Sequence, residues 1–157
     1  MMNAKLSESL AVVGLLPPQT VNSTPAYSGD VKVDKARHYL AVIFLGDMAA
    51  ETIDVSILKS NTSSHGGETA LKACTQLAAH ASNNDNKVLL IDIRPEELAL
   101  PSYNVGGVES NTFFWIRLKV VTGNTVGGMV CGVILAGDAK EFPASALNLA
   151  SVVQVVT

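Results

Sequence analysis

The stretch that decides the fold is Thr112-Phe-Phe-Trp-Ile-Arg-Leu-Lys-Val-Val121, in which apolar and polar side chains alternate. If the chain is extended, one of its sides is apolar and carries Phe114, Ile116, Leu118 and Val120. The opposite side carries Trp115, Arg117 and Lys119. A period of two, rich in aromatic and β-branched residues, predicts a strand with one face in a core and one face in contact with water.

The same pattern recurs along the chain and predicts an all-β or mostly-β domain. Residues 51–59 and 87–94 alternate in the same way, with Ile53, Val55 and Ile57 on the inner side of the first of them. Residues 38–45 and 127–137 are almost continuously apolar, which is typical of strands buried on both faces. Gly132 predicts a bulge or a close approach within the second run. About six strands in a chain of 157 residues predict a β-sandwich or a jelly-roll-like barrel.

Three segments are expected to differ from this sandwich. Residues 1–28 contain Pro17, Pro18 and Pro25 and are predicted to form an extended arm rather than a layer of the core. The sandwich is predicted over residues 29–140, and an apolar tail over residues 141–157. Residues 69–82 place Leu71, Cys74 and Leu77 on one face of a possible helix, so helix and strand both remain open there.

Composition and charge narrow the function classes. The chain is 48% hydrophobic and only 16% charged, which indicates a folded domain. The low charge favours a surface that meets another protein, although small β-proteins also commonly have few surface charges. A net charge of −3 gives no electrostatic reason to expect nucleic-acid or anionic-membrane binding. No apolar segment approaches the roughly 20 residues of a membrane span, and Glu8 interrupts the pattern of a signal peptide. Two cysteines, Cys74 and Cys131, predict small buried side chains, with a covalent link between the two cysteines or between chains as the alternative.

The residues show no catalytic pattern, so we expect neither an enzyme nor a bound cofactor or metal. The three histidines, His38, His65 and His80, lack partners at metal-ligand spacing. Trp115 with Arg117 on an exposed strand face could bind a sugar or a peptide, or could be covered by a protein partner.

Short segments spread over most of the chain resemble a family of small head proteins of tailed bacteriophages and prophages. They are Pro18–Thr20, Tyr27–Val31, His38–Gly46, Thr52–Leu58, Lys72–Leu77, Asp85–Lys87, Ile91–Leu98, Trp115–Val121, Phe142–Ser145 and Leu149–Val152. Proteins of this type are similar to capsid decoration or cement proteins, which bind the outside of an expanded shell and clamp neighbouring capsomers. In that family the Lys72–Leu77 region looks more like a strand than a helix.

The resemblance implies a virion structural protein located on the capsid exterior and made in the host bacterial cytoplasm. Its implied partners are the major capsid protein and further copies of itself, as a homodimer or homotrimer. The alternatives are a neck, tail or fibre-base component, and a carbohydrate-binding β-sandwich that attaches the particle to cells. The residues predicted to contact partners lie in the arm, the tail and the Trp115 face: Leu10, Val12, Leu15, Leu16, Tyr27, Trp115, Arg117, Phe142, Leu147, Leu149 and Val152.

Overall fold

A computed structural model describes residues 6–48, 52–64, 66–77, 85–98, 114–123, 127–140 and 147–152. Within these ranges nearly all regular structure is β-strand. A short helix, α1 (Leu6–Ser9), precedes the first strand, and a 3₁₀ turn spans Pro95–Glu97. The strands are β1 (Leu10–Val21), β2 (Ala26–Tyr27), β3 (Val31–Lys32), β4 (Ala36–Leu45), β5 (Ile53–Ser60), β6 (Thr69–Ala73), β7 (Val88–Ile93), β8 (Trp115–Thr122) and β9 (Gly128–Ala139).

The strands form two antiparallel sheets with jelly-roll connectivity. Sheet A has the order β1-β9-β4-β7, and sheet B has the order β2-β8-β5-β6 with β3 also paired to β8. Strands β2 and β3 lie along the same neighbour, β8, so they act as one interrupted edge strand. Counted in this way, eight strands cross repeatedly between two four-stranded sheets, which is the double-sheet jelly roll. The predicted fold class is therefore confirmed.

The core lies between the two sheets and is built from the inward positions that the alternation predicts. Ile116, Leu118 and Val120 of β8 are fully buried, and they face Ile134 of β9 in the same core. Gly132 confirms the predicted close approach, because a Cβ atom there would lie 2.9 Å from Leu118 Cδ2. The two sheets therefore pack closely at the middle of β9. Phe114 differs from the prediction: it precedes β8 and is 45% exposed.

A buried serine completes the interrupted edge of sheet B. Ser28 lies between β2 and β3, and its backbone N–H donates to the Leu118 carbonyl oxygen at 2.9 Å. The Leu118 N–H donates in turn to Ser28 Oγ, also at 2.9 Å. The side chain thus replaces a backbone acceptor where the ladder is interrupted, and it satisfies a buried donor that would otherwise be costly.

The prediction that residues 1–28 form an arm outside the core is wrong for β1. This strand pairs with β9 from Leu10 to Val21, and Ala11, Leu16 and Val21 are core residues. The two prolines that suggested an arm, Pro17 and Pro18, are exposed and lie where the β1–β9 register shifts. Proline is tolerated at such a point, because β1 is an edge strand and a bulge leaves donors unpaired.

The ambiguous segment after residue 68 begins as a strand. Thr69–Ala73 is β6 and pairs with β5, with a register shift between Ile57 and Leu58. Farther along, Leu77 forms an isolated bridge with Ile53. Pairing with β5 therefore prevails over the helix propensity of the alanines. The remaining residues of this prediction, 78–82, lie outside the described ranges.

Candidate interaction surfaces

The outward face of sheet A is apolar along all four strands. Residues directly opposite each other in an antiparallel pair point to the same face, and the register defines three rows on this side. These rows and the adjacent Met129 contain the apolar residues that we call the sheet A outer face: Val12, Leu15, Leu40, Val42, Phe44, Val88, Leu90, Met129, Cys131, Val133 and Leu135.

Several of these side chains are exposed to an unusual degree for large apolar residues. Leu90 is 63% exposed, Met129 55%, Val88 50% and Phe44 45%. The others are half-buried. Scattered apolar residues on a surface are ordinary, but a contiguous apolar patch across four strands marks a surface that contacts a partner.

This face corrects the prediction that β4 and β9 are buried on both sides. Their inward side chains are buried, including Ile43 and Ile134, but their outward ones include the exposed Phe44 and Met129. The sandwich covers only one side of sheet A. The continuous apolar runs therefore correctly indicate an apolar second face, and that face is open in the isolated chain.

One end of the sheet A outer face carries charges of both signs. Asp92 lies in the row of Leu40, and its carboxylate is 3.8 Å from Arg94 Nε. Beyond His38, at the same end of β4 and β9, Arg37 Nε lies 3.9 Å from Asp138 Oδ2. All four charged side chains are more than half exposed. The rim at this end is therefore close to neutral overall.

The outward face of sheet B is polar and held together by specific contacts. Arg117 forms an ion pair with Glu68, and its guanidinium lies 3.9 Å from the centre of the Tyr27 ring. Asp54 accepts a hydrogen bond from Gln76 Nε2 at 2.8 Å. Trp115 and Lys119 are half-buried on the same face of β8. The sequence placed Tyr27, Trp115 and Arg117 among the contact residues, and the structure brings these three to one sheet.

The segment 147–152 lies against the free edge of β1. The Val12 N–H donates to Asn148 Oδ1 at 2.7 Å, and the Leu149 N–H donates to the Val12 carbonyl oxygen at 2.8 Å. Leu147 packs on the core, while Leu149 and Val152 are half-buried. This part of the predicted tail is therefore docked on its own domain. Phe142 lies outside the described residues.

The predicted contact residues of β1 separate into two groups. Leu10, Val12 and Leu15 are half-buried, and the last two belong to the sheet A outer face. Leu16 is fully buried in the core, so it is unavailable to a partner, and its prediction as a contact residue is wrong. The exposed apolar residues of β4 and β9, such as Phe44 and Met129, were not predicted as contact residues. The signal for them was the unbroken apolar run in β4 and β9, which had been assigned to burial within the domain.

A cavity of about 470 Å³ opens beside Trp115. Its walls combine aromatic and aliphatic side chains with two acidic and two basic residues: Val13, Asp30, Val31, Lys32, Asp34, Lys35, Tyr39, Trp115, Ala136 and Leu147. Burial raises the pKa of Asp34, but the hydrogen bond and charge of Lys32 lower it more, so the net pKa lies below its ordinary value. Lys32 Nζ is 2.6 Å from Asp34 Oδ2, whereas the buried Oδ1 has no hydrogen-bond partner among the described residues.

The other candidate groups show no assembled chemistry in the described ranges. Cys74 and Cys131 are both free and half-buried, and burial raises the pKa of the Cys74 thiol. No cluster of three histidine, cysteine or acidic residues that could hold a metal ion occurs there. His65 and His80 fall outside these ranges, and His38 is exposed. No helix in the described part of the chain has the length and apolar character to cross a membrane.

Comparison with known proteins gives structural likenesses only. No protein-family model matches the chain, and no curated protein sequence does either. A cryo-EM structure of Broad Bean Stain Virus matches with 10% identity and a TM-score of 0.42, over 71% of this chain and 62% of that one. A structure of infectious bursal disease virus, Gx strain, matches with 9% identity and a TM-score of 0.44, over 87% of this chain and 33% of that one.

A third similar structure is that of the CBM22-1–GH10 modules of Clostridium thermocellum endo-1,4-β-D-xylanase 10B complexed with xylohexaose. It matches with 12% identity and a TM-score of 0.42, over 88% of this chain and 26% of that one. The chain thus spans less than two thirds of each of these three proteins. With such low identities and TM-scores, the three likenesses transfer no function to this chain.

Proposed function

We propose that this protein is a virion structural protein that decorates a tailed-bacteriophage capsid and stabilises the shell by bridging capsomers. The observation that carries the proposal is the sheet A outer face, whose exposed members include Phe44, Val88, Leu90 and Met129. Leaving such a face in water is unfavourable by about 25 cal/mol for each Å² of apolar surface. A protein with this surface is suited to working as a subunit of a larger assembly.

The sequence resemblance indicates which assembly this is, and the fold is compatible with it. Double-sheet jelly rolls recur in viral capsid domains, although a fold by itself does not determine a function. Clamping a shell requires a rigid body and many copies acting together, because each contact can then be weak. The two closely packed sheets supply the rigid body.

Contact with the shell is assigned to the outer face of sheet B around Trp115, Tyr27 and Arg117. Arg117 is fixed by Glu68 and by the Tyr27 ring, so this face presents aromatic and cationic groups in a defined geometry. Tryptophan, tyrosine and arginine are enriched among the residues that contribute most to binding at protein interfaces. The docked segment 147–152 has a smaller role than the sequence suggested.

The first test is the copy number of this chain in purified particles relative to the major shell protein, measured by quantitative mass spectrometry. A ratio near one, or a simple fraction of it, is expected for a decoration protein. A trace ratio would contradict decoration and indicate a neck, tail or fibre-base component. Complete absence from the particles would reject the virion role.

A second test maps the contact with variants instead of truncations, since deleting residues 1–28 would remove β1 from the sandwich. Shells that lack the protein are incubated with wild type, Trp115→Ala or the control Ser63→Ala, which changes an exposed loop residue. We expect Trp115→Ala to lower the bound copy number at least about tenfold. Equal binding of all three proteins would contradict the assignment of the Trp115 face.

The cavity beside Trp115 supports a second candidate function, carbohydrate binding. An indole ring can stack on a sugar, and the aspartate and lysine side chains that line the cavity are groups that can form hydrogen bonds with hydroxyl groups. Calorimetric titration with a panel of oligosaccharides tests this candidate. Binding that is abolished in Trp115→Ala and weakened in Asp34→Asn, but unchanged in Leu90→Arg, would favour it; no heat with any sugar would reject it.

A further inference from the structure

We infer that the sheet A outer face is the contact between two copies of this chain, which pack face to face through their sheets A. The inference rests on the proposed function, because it names the partner of one surface of a protein that acts in an assembly. It assigns a different surface to each neighbour: sheet A faces a second copy, and sheet B faces the shell.

The shape and chemistry of the face fit a second sheet. Two sheets that pack face to face lie about 10 Å apart, with interdigitating aliphatic side chains and no need for polar pairs. The two faces of sheet A carry the same types of apolar side chain. One row of the outer face consists of Leu15, Val133, Val42 and Leu90, and leucine and β-branched residues also pack the inner face against sheet B. The face is therefore compatible with a copy of itself.

The size of the face determines the strength of the contact. Four strands about 4.8 Å apart span about 19 Å, and the six residue steps from Met129 to Leu135 span roughly 20 Å. The footprint is then roughly 400 Å², or about half of the ~800 Å² that each partner buries in a standard complex. We therefore expect a reversible, concentration-dependent dimer in solution, which the high local concentration on a shell would favour further.

The charges around the face also permit a second copy. The rim at the Leu40 end holds Asp92, Arg94, Arg37 and Asp138, two residues of each sign. A rim of one sign would repel an identical rim, whereas this one imposes no net repulsion where it meets the same end of a second copy. A strongly charged partner, in contrast, would find no complementary charge there.

The principal test is sedimentation velocity of the full-length protein over a hundredfold range of concentration. We expect the wild type to shift from monomer to dimer. The double variant Leu90→Arg/Met129→Arg should weaken the dimer at least about tenfold, because two charges would be buried in an apolar contact. Both positions are more than half exposed in the chain, so the fold should tolerate the change. Circular dichroism and thermal unfolding verify this.

The matched control is Phe114→Arg. Phe114 is also a large exposed apolar residue, 45% accessible, but it lies beside sheet B. This variant should dimerise like the wild type. A wild type that stays monomeric throughout, or a dimer that withstands the double variant, would overturn the inference.

A second measurement uses the two cysteines of the unaltered protein. Cys131 lies within the sheet A outer face, in the row of Phe44 and Val88, whereas Cys74 pairs with β5 in sheet B. Labelling by a maleimide, measured separately for each cysteine by mass spectrometry, should slow at Cys131 as the protein concentration rises. The rate at Cys74 should stay constant. Equal rates at Cys131 over the whole range would contradict the inference.

The outcomes separate this inference from the proposed function. If the wild type dimerises, the double variant does not, and the protein is absent from particles, the face is assigned correctly and the virion role is wrong. If it stays monomeric and the double variant no longer binds shells, the shell occupies sheet A and the inference of a second copy is wrong.

Discussion

The outer faces of the two sheets differ although both sheets contribute to one core. Sheet A exposes leucine, valine, methionine and phenylalanine side chains, and sheet B exposes groups such as Arg117 and Asp54 that are paired with neighbours. The difference originates in the sequence: β4 and β9 are continuous apolar runs, whereas β5 and β8 alternate. An alternating strand needs another layer of protein on only one of its faces. A continuously apolar strand needs such a layer on both faces, and this domain provides it on one face only.

The two sheets therefore offer different surfaces to partners: sheet B offers a specific polar surface, and sheet A offers an apolar area. The face of sheet B is ordered by local bonds that exist before any partner arrives, so it can recognise a defined surface. The face of sheet A is apolar apart from the Asp92–Arg94 pair at one end, and its apolar side chains gain stability when water is removed from them. Each of the following predictions tests one side of this contrast.

The largest effect is the difference expected between two alanine variants at adjacent positions of β9 whose side chains point to opposite faces. Ile134→Ala removes a fully buried side chain and should lower the free energy of unfolding by about 3–4 kcal/mol. Val133→Ala, on the outer face, should cost about 1 kcal/mol or less at dilute concentration. Urea unfolding of both variants measures the two costs. Equal costs in the monomer would show that the outer face is already covered, which would contradict the contrast.

An intermediate effect is expected on the polar face of sheet B. Arg117→Met should remove both the ion pair with Glu68 and the contact with Tyr27, and lower the stability by about 1–2 kcal/mol. Arg117→Lys is the control for charge, because lysine retains the charge but not the planar fork. It should lose about half as much in the same unfolding experiment. Full stability of Arg117→Met would show that this face is not held by these contacts.

The smallest effect concerns the side of the sandwich where β6 and β7 meet. Lys72 Nζ is 2.8 Å from Glu97 Oε2, and this hydrogen bond lowers the pKa of Glu97 below its ordinary value of 4.5. The contact therefore stabilises the folded state above pH 4.5, and the stabilisation is lost as the pH falls through the lower folded value. Both side chains are about one-third exposed, so Lys72→Met should cost well under about 1 kcal/mol.

The measurement is thermal unfolding of wild type and Lys72→Met between pH 3 and pH 7. The two curves should differ slightly at neutral pH and converge at acidic pH. A difference that grows as the pH falls would contradict the assigned sign.

Much of the fold followed from side-chain periodicity. The inward positions of β5, β7 and β8 were predicted because alternation reports directly which face is buried. Strand β1 could not be predicted, since Pro17 and Pro18 argue against pairing unless a bulge at a sheet edge is known. Strand β6 could not be predicted either, because its conformation depends on pairing with β5 and not on its own alanines.

The candidate surfaces were predicted less well than the fold, for a physical reason. The sequence shows that a side chain is apolar, but it does not show whether that side chain packs against another layer of the same chain or against another molecule. Val42 and Leu135 were therefore assigned to the interior. The Trp115 face was predicted because an aromatic residue at a polar position of an alternating strand is itself unusual.

The position of β9 in sheet A has a consequence for how the chain folds during synthesis. The last strand inserts between β1 and β4, so the first and last strands of the sandwich are direct neighbours. Until residue 139 has left the ribosome, β1 has no partner in sheet A, and one edge of β4 is unfilled. Such long-range pairing slows folding and leaves apolar strand edges exposed in the nascent chain. Loss of the last strand should therefore yield an insoluble product instead of a shorter folded domain.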